Sequence, residues 1–423
     1  MSNKRKKQYA IAYLISQPVY LYAFQTLREQ LKLVFPTRQY QLFDIKKKPY
    51  GFNGGVDLLG RFDILKTGRL CSLLIQKLLC MKNQLHIRNK LRLGIAISSR
   101  HNSFDKVKPE YVASLEGHSN TVWSVAFHPT APLILTSSWD KTAKLWRMNS
   151  ERMGADCMVT LAGHGNHVLS AIFHPTEPLI VTGGSDKTAK LWCINSELTT
   201  AECVATLKGH HDSVWTTTFH PTEPLILTSS CDNTAKLWSM NSERTGADCV
   251  ATLAGHSKSV YSATFHPTDP LILTGSYDNT AKLWRINSAY TSADCVATLM
   301  GHRSHVFSAA FHPTEPLIVT CSHDNTAKLW HMNLARTAVD CVATLIGHDN
   351  WVCSAVFHPT VPLIVTGSRD KTAKLWYMNS ERTAADCVMT LVGHCGSVLS
   401  ATFHPTEPLI ATVSHDKTIK LWK

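Results

Sequence analysis

From Gly117 onward the chain writes one phrase seven times. The first copy reads GHSNTVWSVAFHPTAPLILTSSWDKTAKLW, from Gly117 to Trp146. The Gly-His pair returns at Gly163, Gly209, Gly255, Gly301, Gly347 and Gly393, always 46 residues on. The closing Trp keeps the same step through Trp192, Trp238, Trp284, Trp330, Trp376 and Trp422, and an Asp stands six residues before each, from Asp140 to Asp416. A fixed period of this size in this many copies specifies a propeller, solenoid or array.

The punctuation inside one copy chooses among these. VWSVAF (122–127) is short and rich in β-formers. His128-Pro129-Thr130-Ala131-Pro132 is a turn, because two prolines do not fit inside a paired strand. LILTSS (133–138), AKLWRM (143–148) and CMVTLA (157–162) read as three further strands, with a tight polar turn at Asp140-Lys141-Thr142. Four short antiparallel strands per period make one propeller blade, and no helical period competes. The last copy stops at Trp422-Lys423 and lacks its own fourth strand. YVASLE (111–116) matches that strand, so we expect it to complete the last blade and close the ring.

These residues resemble the WD40 repeat family over Glu110 to Lys423. The resemblance implies an all-β, seven-bladed propeller that works as a non-catalytic binding platform. It also implies that His, Asp, a strand Thr and Trp are linked within each blade, in the first blade His118, Thr136, Asp140 and Trp146. A buried indole N–H and a buried imidazole need partners, and a Thr hydroxyl and an Asp carboxylate supply them. One departure is plain: the Asp that follows the Trp in the family is replaced by Arg147, Cys193, Ser239, Arg285, His331, Tyr377 and Lys423. This argues against the docking box of a cullin-type ubiquitin-ligase receptor, which resembles Trp-Asp-x-Arg.

Charge divides the chain. Residues 1–109 hold 21 Lys+Arg against 5 Asp+Glu, whereas the repeats hold 22 against 26. Residues 1–109 therefore read as a basic extension or small domain, separable from a propeller at 110–423. Within it, residues 73–97 suit a basic amphipathic helix, and Lys4–Lys7 and Lys46–Lys48 have the character of nuclear-import runs. The run AIAYLISQPVYLYAF (10–24) is too short and too broken by Gln17-Pro18 to span a membrane.

Six of the 13 cysteines (Cys157, Cys203, Cys249, Cys295, Cys341, Cys387) share one repeat position, with Tyr111 in the seventh. Equivalent atoms of neighbouring blades lie beyond the ~7 Å that a disulfide spans. The cysteines read as small apolar residues opening the fourth strand, in a reducing compartment. Neither histidine series has metal-ligand spacing, and no phosphate loop, nucleophile elbow or carboxylate dyad is present. A Ser or Thr six residues after each Gly-His histidine (Ser124, Ser170, Thr216, Ser262, Ser308, Ser354, Ser400) forms a hydroxyl ring without a base.

The antiparallel meander brings the Gly-His loops and Asp turns to one face, and the WD40 resemblance implies that the three positions where the copies differ most line that family's usual partner-binding face. From these we expect the partner-binding residues Trp123, Trp139, Trp215, Tyr261, Tyr277, Phe307, Trp351 and Arg369, the residue types that interface hot spots use. The alternative is that these rings only fill the channel mouth. The leading functional reading is a monomeric, intracellular, cytoplasmic protein–protein scaffold without metal or cofactor. The runner-up is a nuclear, nucleic-acid-associated factor that holds nucleic acid through residues 1–109 and recruits protein with its propeller.

Overall fold

The structure is a computed structural model that describes residues 110–149 and 154–423. The basic extension, its helix over 73–97 and the import-like runs lie outside the described residues.

The described residues form 28 strands, β1–β28 in chain order, arranged as seven four-stranded sheets. In blade 1 these are β2 (Val122–Phe127), β3 (Leu133–Ser138), β4 (Thr142–Met148) and β5 (Ala155–Ala162), paired antiparallel in that order. The sixth copy ends the run of complete blades; the seventh has only β26 (Val398–Phe403), β27 (Ile410–Ser414) and β28 (Ile419–Trp422) from its own repeat. Its fourth strand is β1 (Tyr111–Leu115), which pairs antiparallel with β28 through Ala113↔Leu421 and Leu115↔Ile419. Reciprocal bonds between Glu110 and Lys423, N to O at 3.2 and 3.0 Å, finish the seam. The ring is a closed seven-bladed β-propeller, with the first strand of each blade innermost and adjoining its counterparts on both sides.

The alternation within each strand puts one face of every blade against its neighbour, so the core is divided into seven clusters, each between two blades. In one of them Leu271, Leu273 and Leu283 of blade 4 meet Phe311, Ile318 and Trp330 of blade 5. The seam cluster joins Ala113 and Leu115 to Leu421 of blade 7 and to Val125, Ile134 and Trp146 of blade 1. Each Gly-His glycine lies against the Trp ring; a Cβ on Gly117, whose φ is 153°, would stand 3.0 Å from Trp146 Cη2.

Hydroxyls stitch the inner strands together. Ser124 Oγ accepts the Ala171 amide at 3.2 Å, Thr216 Oγ1 the Ala263 amide at 3.0 Å, and Ser354 Oγ the Ala401 amide at 3.1 Å, each from the next blade. The expected hydroxyl ring is thus largely consumed in holding blades side by side. The six repeat cysteines are exposed on the outermost strands, each opposite the Trp of its blade, as Cys157 is to Trp146.

On the end away from the Gly-His loops, the histidine of each Phe-His-Pro turn accepts two amides of its own turn through Nδ1, as His174 does from Thr176 and Glu177. In three blades the fourth residue of that turn forms an ion pair with the loop between the third and fourth strands of the next blade. Glu177–Arg244 and Glu315–Arg382 are forked pairs with contacts of 2.7–2.9 Å, and Asp269–Arg336 closes at 3.1 Å. Between blades 1 and 2 the corresponding residues are Ala131 and Leu198, both packed on the apolar cluster there. The chain therefore contains its own apolar substitute for the ion pair. Replacing Glu177 and Arg244 together by Ala and Leu should change stability by less than about 1 kcal/mol, because half-exposed ion pairs contribute little. Urea denaturation of the double variant checks this.

Candidate functional site

The Gly-His loop and the Asp turn are tied at one end of every blade. In blade 1 the Trp139 amide donates to Thr121 O at 3.0 Å, and the Ser119 amide to Asp140 Oδ2 at 3.2 Å. Ser138 Oγ donates to Asn120 O at 3.2 Å and accepts the Asp140 amide at 3.0 Å. This serine recurs in six copies and is Gly184 in the second. Sequence reasoning passed over it, although its place two residues before the Asp was a signal.

Beneath the loops sit the four linked side chains. Asp140 Oδ2 accepts from His118 Nδ1 at 2.7 Å, which leaves Nε2 to accept from Thr136 Oγ1 at 2.8 Å; Thr136 Oγ1 in turn accepts the Trp146 indole N–H at 2.9 Å. The same chain of bonds runs in the other six blades, from His164–Asp186 to His394–Asp416. Burial alone would raise the Asp140 carboxyl. The donors His118 and Thr142 outweigh it and hold the group well below the ordinary carboxylate range. Every polar atom of the set has a partner inside the set or in its own loops. These bonds tie the Gly-His loop, the Asp turn and two strands of one blade together.

The eight rim residues expected from the sequence are all half-buried. Seven are rings, and six of them touch one another. Trp123 stacks on Trp139 (centroids 5.6 Å apart, planes at 12°) and meets Trp215 at 5.3 Å. Trp215 meets Tyr261 edge-on at 4.7 Å, and Tyr261 stacks on Phe307 at 4.7 Å. Tyr277 packs against Tyr261. Phe307 reaches Trp351 only through His323, which stacks on both, at 4.3 and 3.8 Å. The Arg369 guanidinium lies 4.1 Å over the Trp351 ring and ends the chain.

Four histidines complete this rim: His167 and His415 against Trp139, His305 against Tyr277, and His323. Their positions were legible in the sequence but their stacking was not. Burial, then the charges of His305 and Arg369, push His323 down to about 4, so it serves as a neutral ring at physiological pH. Burial likewise pushes the Tyr261 phenol up to about 12. The Trp215 indole donates to Cys231 Sγ. Among the described residues, Trp139 Nε1 and His323 Nε2 are buried polar atoms without a hydrogen-bond partner.

Trp123, Trp215, Tyr261, Phe307 and Arg369, together with the hydroxyl ring, line a cavity of about 140 Å³ in the channel mouth. Trp139, Tyr277 and Trp351 lie outside its lining. The opposite mouth is wider, about 360 Å³, and is lined by Phe and Pro carbon such as Phe265, Pro267, Phe311 and Pro313. Among the described residues no cluster of His, Cys, Asp or Glu is placed to hold a metal ion, and no helix is long and apolar enough to cross a membrane.

The family model described as "WD domain, G-beta repeat" matches seven times, over residues 109–147, 155–193, 201–239, 247–285, 293–331, 339–377 and 385–423. The chain belongs to the WD40 repeat family. This WD40 chain is similar to curated proteins over short stretches. It is 40% identical over 43 residues to a "Probable cytosolic iron-sulfur protein assembly protein 1" of Candida dubliniensis, covering 10% of this chain and 11% of that protein. Its counterpart in Candida albicans is 44% identical over 39 residues, covering 9% and 10%. A "Probable cytosolic Fe-S cluster assembly factor" of Schizosaccharomyces pombe is 30% identical over 82 residues, covering 18% of this chain and 14% of that protein. The matched stretches are thus a small part of each relative's length.

Proposed function

We propose that this WD40 propeller is a non-catalytic platform that binds a protein or peptide partner on the face of the Gly-His loops and Asp turns. The observation that carries the reading is the connected series of rings from Trp139 to Trp351, capped by Arg369, around a partly open mouth. Half-buried Trp, Tyr and Arg on a rigid rim give much contact area at little ordering cost, as interface hot spots do. The unpartnered Trp139 N–H supplies a donor for a partner acceptor once its neighbours shift. The similarity to proteins named as probable cytosolic iron-sulfur assembly factors supports a cytosolic setting and a role in assembling other proteins.

Trp139→Ala together with Tyr277→Ala should weaken partner capture by roughly ten-fold or more, while the melting temperature stays within a few degrees. Pull-down with the intact chain, quantified against the double variant, checks this. Capture that survives these changes and fails on altering the His-Pro-Thr-Glu-Pro turns would place the site at the opposite mouth.

A further inference from the structure

The tight turn after each Asp of the candidate face holds its second residue in the left-handed region, with φ of 67–72°. Asn suits that conformation far better than Lys. Blades 3, 4 and 5 use Asn there: Asn233, Asn279 and Asn325. Blades 6, 7, 1 and 2 use Lys instead: Lys371, Lys417, Lys141 and Lys187. Because the ring closes through β1, these four blades are consecutive. The strained lysines therefore form one uninterrupted arc rather than a scatter.

Their side chains are exposed and make no ion pair with a described residue. The lysines within the third strands behave differently: Lys144, Lys190 and Lys236 each donate to a Thr hydroxyl at 2.9–3.0 Å. The Asp beside each turn lysine does not neutralise what a partner meets. Its oxygens already accept from His, Thr and backbone amides, and its side chain is only 8–17% exposed on these four blades. Arg369, also on blade 6, is the one charged side chain lining the mouth and pairs with no carboxylate among the described residues. Against these stand three exposed carboxylates of the loops and outer strand ends on that face, Asp349 on blade 6, Glu116 after β1 and Asp212 on blade 3, so that within the four-blade arc only Asp349 and Glu116 oppose the lysines.

We propose that the arc of Lys371, Lys417, Lys141 and Lys187, with Arg369 at the mouth, selects an acidic protein segment that lies across blades 6, 7, 1 and 2. The inference rests on the binding face proposed above and adds the chemistry of its partner. Carboxylates meet the lysine tips, and an apolar or aromatic side chain of the same segment enters the mouth. A nucleic acid fits less well. The outer strands present exposed carboxylates all round, such as Asp156, Glu202, Asp248 and Asp294, which repel a long polyanion. The rim rings are stacked on one another and offer few open faces for bases.

The chain itself supplies the test substitution. Lys141→Asn, Lys187→Asn, Lys371→Asn and Lys417→Asn together install the residue of the other three blades, so the fold is kept or slightly stabilised. The probe is a fluorescein-labelled peptide of alternating Glu with Leu and Trp, and its control has Gln for every Glu. With the full chain, anisotropy should show the Glu peptide binding more tightly than the Gln peptide. The quadruple variant should lose roughly ten-fold in Glu-peptide affinity, lose most of the salt dependence, and leave the Gln peptide unchanged. Equal binding of the two peptides by the unaltered chain overturns the acidic selection while the face itself stands. Tighter binding of a labelled DNA or RNA duplex, or a quadruple variant that keeps its preference for Glu, also overturns it. If Trp139→Ala with Tyr277→Ala leaves Gln-peptide binding intact, the rim site proposed above is wrong, and the ratio between the peptides alone judges the arc.

Discussion

A chain beginning at residue 118 should melt on the order of 10 °C below one beginning at residue 105, or precipitate. The shorter chain loses β1, which among the described residues is the strand that covers the outer edge of β28. Leu115 and Ala113 leave the cluster that joins blade 7 to blade 1, so Leu421, Val125 and Trp146 each lose cover. Removing one buried Leu costs about 2–5 kcal/mol before any backbone pairing is counted. The exposed β28 edge then offers its free amides and carbonyls to another chain. Scanning calorimetry of the two chains decides the matter, and equal melting temperatures would mean that the seam is held elsewhere.

Asp232→Ala should cost at least about 2 kcal/mol. The side chain is the acceptor for His210 Nδ1 at 2.8 Å, for the His211 amide at 2.9 Å and for both the amide and hydroxyl of Thr234. Its loss strands a buried imidazole N–H and lets the loop drift from the turn. The same bonds set the response to acid. Burial would raise the Asp232 carboxyl, but His210 and Thr234 hold it below its ordinary value, as the matching donors do in the other six blades. A carboxyl whose pKa is depressed in the folded state gives stability that is fully present above its unfolded pKa, about 3.9, and is lost as the pH falls below that value. With seven such groups the propeller should be steeply acid-labile below about pH 4, and urea midpoints taken from pH 7 down to 3 would show it. A midpoint in Asp232→Ala equal to that of the parent at pH 7 would refute the structural role.

The fold was legible because each blade is a local object. Strand, turn and the His118–Thr136–Asp140–Trp146 spacing all lie within one copy, and even the borrowed strand was marked by the likeness of YVASLE to the other fourth strands. What escaped the sequence lies between copies. Ser124 meets the amide of Ala171, and Arg244 meets Glu177, 67 residues back; no pattern inside one repeat sets the register between two. The rim shows the same limit. The identities of Trp123, Tyr261 and Trp351 were plain, but not that His323 bridges the last of them to Phe307. The fourth strands also begin two residues earlier than their apolar pattern suggested, at Ala155 rather than Cys157, because exposed Asp156 and Cys157 pair there without facing a core.

The offset seam has a hereditary consequence. One 46-residue unit of sequence, such as residues 117–162, carries all four strands of one blade, and only the last copy carries three and is finished by β1. An in-register loss or gain of a unit by recombination between near-identical copies leaves β1 to complete the last blade as before. Each product still has only whole blades, and its two ends still meet. Copy number is therefore free to vary in descent without any half-built blade along the way, and the limit on it is the angle through which the apolar clusters between blades can be opened or closed.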